Sequence, residues 1–281
     1  MRHGPSLLLG LLMLAACSSG EPGGASLPEA QVVVAAGLEF SEIQRAVTRF
    51  LDAYAHSTED IRPLERAVGG SDLQEWVYWL EVQNRGLSME GRVDLDRLRV
   101  LEISGDFAAV GLDATVRFTL PDGGVLVRRF ESPMFLAKQG PGDAWVVFDA
   151  VRDGRSMQDA IALIRPPVRA TAHGLTVQVG SVFRFTAGTL VNLHLTNGTP
   201  RPVQVDPQGS SLDPGGLPLQ GSATNASLAS PLGPGAEADG MIEFPELLLD
   251  QPPRTFTLGF SGPAAREITI GLPAQAFTEQ G

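Results

Sequence analysis

The stretch Phe107-Ala108-Ala109-Val110-Gly111-Leu112-Asp113-Ala114-Thr115-Val116-Arg117-Phe118-Thr119-Leu120 repeats with a period of two. Ala108, Val110, Leu112, Ala114, Val116 and Phe118 fall on one side, with Ala109, Gly111, Asp113, Thr115 and Arg117 on the other. A chain that alternates in this way is a strand with one face in a core and one face in water. Turn signals at Gly105-Asp106, Pro121-Asp122-Gly123-Gly124 and Gly140-Pro141-Gly142-Asp143 divide it from three further runs, 99–104, 125–138 and 144–152. Together they predict a four-stranded antiparallel meander.

Upstream the period is helical. Ile43, Val47, Phe50, Leu51 and Tyr54 form one apolar stripe, and Ser41 with Gln44 reads as a capping box that starts it. Pro63 suits the first turn of a short second helix carrying Leu64 and Val68, stopped by Gly69-Gly70. Ser71 and Gln74 form a second capping box ahead of Leu73, Trp76, Val77 and Leu80, and Gly86 ends that helix. Helices followed by long strands imply an α+β unit over residues 40–164, its helices on one face of a bent antiparallel sheet.

This order of elements resembles the nuclear-transport-factor-2-like cone, the fold of SnoaL-like proteins and ketosteroid isomerase. The resemblance implies a pocket enclosed by helices and sheet, and in the isomerase relatives a buried carboxylate takes a proton there. Pocket candidates are Tyr54, Trp76, Trp79, Asp113 and Arg117, with Arg129 and Glu131 on a neighbouring strand. Alternation explains the same residues without a ligand: Trp76 as core, the charged ones as cross-strand pairs on a solvated face. No residue matches the isomerase acid.

Composition changes near Arg165-Pro166-Pro167, and 14 of the 21 prolines lie from Pro166 onward. That shift reads as a domain boundary at 164/165. Beyond it, short β-branched and aromatic runs at 174–186, 189–197, 202–206, 240–244, 255–260 and 267–272 are each bounded by Gly, Pro, Asn or Asp, the pattern of an antiparallel sandwich over 165–281. Three features stand out: a strand ending in Asn197-Gly198-Thr199, the turn Leu212-Asp213-Pro214-Gly215-Gly216, and Pro234-Gly235 returning through Gly240-Met241-Ile242-Glu243-Phe244. They resemble the immunoglobulin-like domain of bacterial surface lipoproteins, which implies a binding or spacer module. The expected fold class is therefore an α+β cone-like domain followed by an all-β immunoglobulin-like sandwich.

The N-terminus carries an address. Arg2 and His3 precede an apolar run from Leu7 to Leu14, too short to cross a bilayer, which needs about 20 residues. This is the pattern of a signal peptide over residues 1–16. Leu14-Ala15-Ala16-Cys17 resembles the bacterial lipobox, whose cysteine is lipidated and becomes the mature N-terminus, and Cys17 is the chain's single cysteine. Acyl chains in pairs anchor where one would only visit. Residues 17–39, rich in Ser, Gly and Pro at their start, read as a flexible tether. The expected location is the cell membrane or outer membrane, lipid-anchored, on the extracytoplasmic side.

The 281 residues carry a net charge of −11, which argues against a nucleic-acid partner. One cysteine excludes an internal disulfide and a Cys-based zinc site. No Gly-x-Ser-x-Gly elbow, Walker loop, dinucleotide fingerprint or His-Glu-x-x-His pattern occurs, so no catalytic residue, metal or cofactor is expected. Asp206, Asp213 and Asp239 lack the dense spacing of a calcium loop. His56 reads as a helix-end residue and His194 as a satisfied strand residue. Asn197-Gly198-Thr199 and Asn225-Ala226-Ser227 read as turns. These readings converge on a non-enzymatic binding or scaffolding module, partnered by the membrane through its lipid and by an envelope protein. The rival readings are a small-molecule binder or enzyme using the pocket, and an accessory subunit of an envelope secretion or transport machine.

Overall fold

A computed structural model describes residues 29–139, 144–261 and 265–277, with side chains from residue 37 onward apart from 265. The expected signal peptide and Cys17 lie outside the described residues. α1 (Glu29–Ala55) takes in residues 29–39, where the sequence predicts a flexible tether. Their Ala, Val and Leu content is compatible with a helix, and Ser41 lies inside it rather than at its start. The described residues from Glu39 onward form one compact unit.

α2 (Arg62–Ala67) and α3 (Ser71–Asn84) follow. α3 starts behind Gly70 with no side-chain cap: Ser71 turns to Asp72, and Gln74 donates from Nε2 to the carbonyls of Glu65 and Val68. Gly86 takes φ +78° just past the helix, the left-handed value that suits glycine. The first sheet runs β1 (Glu90–Ser104), β2 (Phe107–Thr119), β3 (Val125–Gln139), β4 (Ala144–Arg152) and β5 (Arg155–Ser156), neighbours in chain order and antiparallel. As the alternation requires, Val110, Leu112, Ala114, Val116 and Phe118 are buried, whereas Asp113 and Arg117 are exposed. β1 closes on the end of α1 at Gly91, where any Cβ would run into the carbonyl of Ala55.

After α4 (Met157–Ala160) come β6 (Ile161–Ala172), β7 (Leu175–Phe185), β8 (Gly188–Asn197), β9 (Gln204–Asp213), β10 (Leu219–Gln220), β11 (Ala223–Thr224), α5 (Ala226–Ala229), β12 (Glu237–Phe244), β13 (Thr255–Ser261), β14 (Ala265–Gly271) and a 3-10 turn at Ala274–Phe277. They build a second sheet, β11-β12-β8-β7-β6, and a third, β10-β9-β13-β14, both antiparallel. Phe244 and Phe256 meet edge to face between them, 6.2 Å apart.

This architecture corrects the expected fold class. The described chain is mostly β, in three antiparallel sheets, and not a helices-on-sheet cone joined to a separate immunoglobulin-like domain. Two physical reasons stand out. The expected boundary at 164/165 falls inside β6, an edge strand, where Arg165-Pro166-Pro167 forms an exposed bulge between the pairs Leu163–Ser181 and Val168–Val179. Proline has no N–H to give a ladder, and a bulge on an edge tolerates it. The core is also shared: Phe183, Phe185 and Met241 pack in one buried cluster with Ile43, Phe50, Trp76 and Phe130.

Polar contacts bind α3 to the second sheet. Glu75 Oε1 accepts from Trp79 Nε1 at 2.7 Å and from Ser181 Oγ at 3.3 Å, and Ser181 in turn accepts from Asn192 Nδ2 at 2.9 Å. Asn225 donates to the Val82 carbonyl and accepts from the Met241 amide. Tyr78 donates to Asp239 at 2.8 Å. Arg184, fully buried, donates to the carbonyls of Leu249 and Asp159 and so ties the loop after β12 to α4.

Candidate functional site

The helices, the first sheet and the second sheet meet around a cavity of about 260 Å³. An apolar cavity of about 150 Å³ holds benzene, so this space accommodates a larger organic molecule. The last turn of α1 carries Tyr54, whose ring packs edge to face against Phe118 and Phe130 at 5.4 Å and tilts on Trp76 at 5.6 Å. α3 contributes Trp76, Trp79 and Leu80 to the wall. β2 and β3 contribute Phe118, Leu126 and Arg128, and β4 ends in Arg152. The second sheet closes the far side with Phe183, Phe185, Leu190 and Met241, and with Glu243, which is exposed.

Arg152 is the unusual member. It is only 7% exposed, and its guanidinium lies 3.7 Å over the Phe185 ring and 5.7 Å from that of Trp76. Its buried Nε has no hydrogen-bond partner. The nearest paired carboxylate oxygen, Asp153 Oδ2, stands 3.9 Å from Nε and is 3.9 Å from Arg128 Nε as well. The same Asp153 accepts from the Arg129 amide through its other oxygen at 2.8 Å. Burial pushes the Arg152 pKa below the usual guanidinium value, with Tyr54 and Asp153 opposing that shift and Arg128 adding to it. Loss of hydration disfavours a buried charge.

Of the residues the sequence singled out, Tyr54, Trp76 and Trp79 line the cavity, and Asp113 and Arg117 do not. Asp113 is exposed on the outer face of the first sheet, opposite Glu131 and Arg97 in register. Arg117 is exposed there too and pairs with Asp94 at 3.1 Å. The reason is parity: positions that alternate with Leu112, Ala114 and Phe118 face away from the helices. Arg128 and Arg152 are not among the residues that the sequence singles out. Arg128 sits between Leu126 and Phe130 on the inward parity of β3, a charge at a core position, which is a readable signal. Arg152 precedes the turn Asp153-Gly154, where sequence alone reads it as a surface residue.

His194 Nδ1 meets Asp239 Oδ1 at 2.9 Å, so Tyr78, Asp239 and His194 form a chain from α3 across β12 to β8. The Tyr78 phenol is pushed up to about 12, first by burial and then by its bond to Asp239. Asp213 accepts the amides of Gly215 and Gly216 and holds a turn, so it and Asp239 are each spoken for. Asp149 is raised above the usual carboxylate value by burial, against bonds from Gln158 and Ser156. His56 caps the end of α1 by Nδ1 to the Asp52 carbonyl at 2.9 Å. Asn197 is fully buried, and its amide donates to the carbonyls of Arg201, Leu232 and Gly233.

No family model matches the chain, and no curated protein does.

Proposed function

We propose that this chain is a lipid-anchored protein of the bacterial cell envelope, held through Cys17 on the extracytoplasmic side, that binds a small, largely apolar molecule without transforming it. One observation carries the binding part: a cavity of about 260 Å³ walled by Tyr54, Trp76, Trp79, Phe118, Phe183 and Phe185. Binding sites are typically concave and mostly apolar, with few polar groups to set orientation. Aromatic walls supply contact area at low cost in side-chain entropy. The anchoring part rests on Leu14-Ala15-Ala16-Cys17 behind a short apolar run.

Two measurements test it. Native mass spectrometry of the full chain, extracted in mild detergent from its own host, should show a retained small molecule that Trp79→Ala diminishes. A chain that arrives empty, and that gains no mass from a library of apolar metabolites, refutes the binding reading. Cys17→Ser should move the protein out of the membrane fraction, and retention in that fraction refutes the anchor.

A further inference from the structure

Resting on the cavity as a binding site, we infer that its ligand is an organic monoanion, a carboxylate on an apolar ring-bearing body, and that Arg152 receives the carboxylate. The argument is a count of charges and donors. Three charged residues line the cavity, Arg128, Arg152 and Glu243, and Asp153 stands behind the two arginines. Glu243 is exposed. That leaves two guanidinium groups sharing one carboxylate, each at 3.9 Å, which is beyond a hydrogen bond. The side of the cavity that holds Arg128 and Arg152 therefore has a single carboxylate within 4 Å for two guanidinium groups.

The guanidinium is also held the way a receptor group is held. The Phe185 ring lies 3.7 Å from Cζ and holds the planar group against it. The donors of a guanidinium lie in that plane, and a carboxylate is the group that takes two of them at once. Tyr54 hydrogen-bonds to the Arg152 side chain, but Nε, buried and without a partner, marks a donor that the protein itself leaves unused. Proteins seldom leave such groups unsatisfied, and function is one of the recognised reasons. A phosphate monoester would bring nearly two charges where one is missing, so the monocarboxylate fits better. Rings from both sheets and α3 surround the remaining space and set the character of the body.

The test is calorimetric titration of the full chain in detergent with naphthalene-2-carboxylate and its neutral counterpart naphthalene-2-methanol at pH 7, corrected against empty micelles. The wild-type chain should bind the carboxylate at least about tenfold more tightly, as a charge-assisted pair in a buried site implies. Arg152→Met should bring the two affinities within about threefold of each other by lowering only that of the carboxylate. Equal affinities in the wild-type chain overturn the anion and leave the cavity as a neutral site. Binding of neither probe overturns the cavity reading and this one with it. A preference that survives Arg152→Met overturns the role of Arg152. The wild-type comparison stands whether or not that variant folds.

Discussion

Replacing Arg152 by Met should make the empty protein more stable. The guanidinium is 7% exposed, and the effective penalty for burying an ion in a protein is several kcal/mol. Against that stand two compensations. The stack on Phe185 at 3.7 Å contributes about 1–2 kcal/mol for a desolvated cation over a ring. Asp153 at 3.9 Å attracts it by about 4 kcal/mol at an effective dielectric constant near 20, but Arg128 shares that carboxylate and its own charge opposes the gain. Methionine fills a similar volume, adapts to irregular walls and keeps contact with the rings. Asp153 is not stranded by the change, since it retains the Arg129 amide at 2.8 Å and Arg128. Exchanging a buried ion pair for apolar side chains is often neutral or stabilising by about 1–4 kcal/mol, and here the pairing is poorer than usual. We expect a gain of about 2 kcal/mol, or roughly 4–8 °C in Tm for a unit of this size. Urea unfolding followed by both tryptophan fluorescence and circular dichroism measures it, provided that the two transitions coincide and the slope is unchanged. A loss of more than about 2 kcal/mol would show that Arg152 supports the fold itself, and the charge argument for a ligand would fall.

Three other expectations follow from particular contacts. Gly91→Ala forces a methyl group into the Ala55 carbonyl and should cost about 2–3 kcal/mol in the same urea assay; a change below about 0.5 kcal/mol would refute the close approach of β1 to α1. Asn197→Ala removes the donor to the carbonyls of Arg201, Leu232 and Gly233 and the acceptor for Thr199, so it should cost about 2–4 kcal/mol and speed amide exchange at Thr199. The Tyr78 phenol, near 12 in the folded chain against an ordinary value of 10.0, binds its proton more tightly when folded. Its contribution is thus complete below pH 10 and is lost as the pH rises from 10 to about 12. Ultraviolet titration should show Asp239→Asn lowering that pKa only in part, since burial is the larger cause; an unchanged value would remove Asp239 from the account.

The strands were legible wherever one face is wet and one dry. From Ala108 to Phe118 the alternation leaves no choice of parity, and the outward placing of Asp113 and Arg117 follows from it. The division of the chain was not legible, because Arg165-Pro166-Pro167 reads as punctuation whether it links domains or bulges from an edge strand. A signal against division did exist in α3. Trp76-Val77-Tyr78-Trp79-Leu80 puts large side chains on more than one side of the helix, and such a helix is buried on more than one side. Trp76 and Val77 face the first core while Trp79 and Tyr78 bond to Glu75 and Asp239, the latter on β12. Within the site, the aromatic members were readable from helical spacing, and Arg128 from its parity. Arg152 and Arg184 were not, since their burial depends on which distant element closes over them.

The shared core also bears on the order in which the protein can be completed. Met241 belongs to the same buried cluster as Phe50 and Trp76, so the N-terminal helices and first sheet lack part of their interior until that residue is available. A ribosome adds about 5–20 residues per second, and about 80 residues separate the end of the first sheet at Ser156 from β12 at Glu237, an interval of roughly 4–16 s. Through that interval the rings of Trp76, Trp79 and Phe118 lack the cover that Met241 will supply. A nascent chain in this state is a natural client for a chaperone. Substitutions at Met241 should therefore show first as lost yield in the cell, and only afterwards as altered binding.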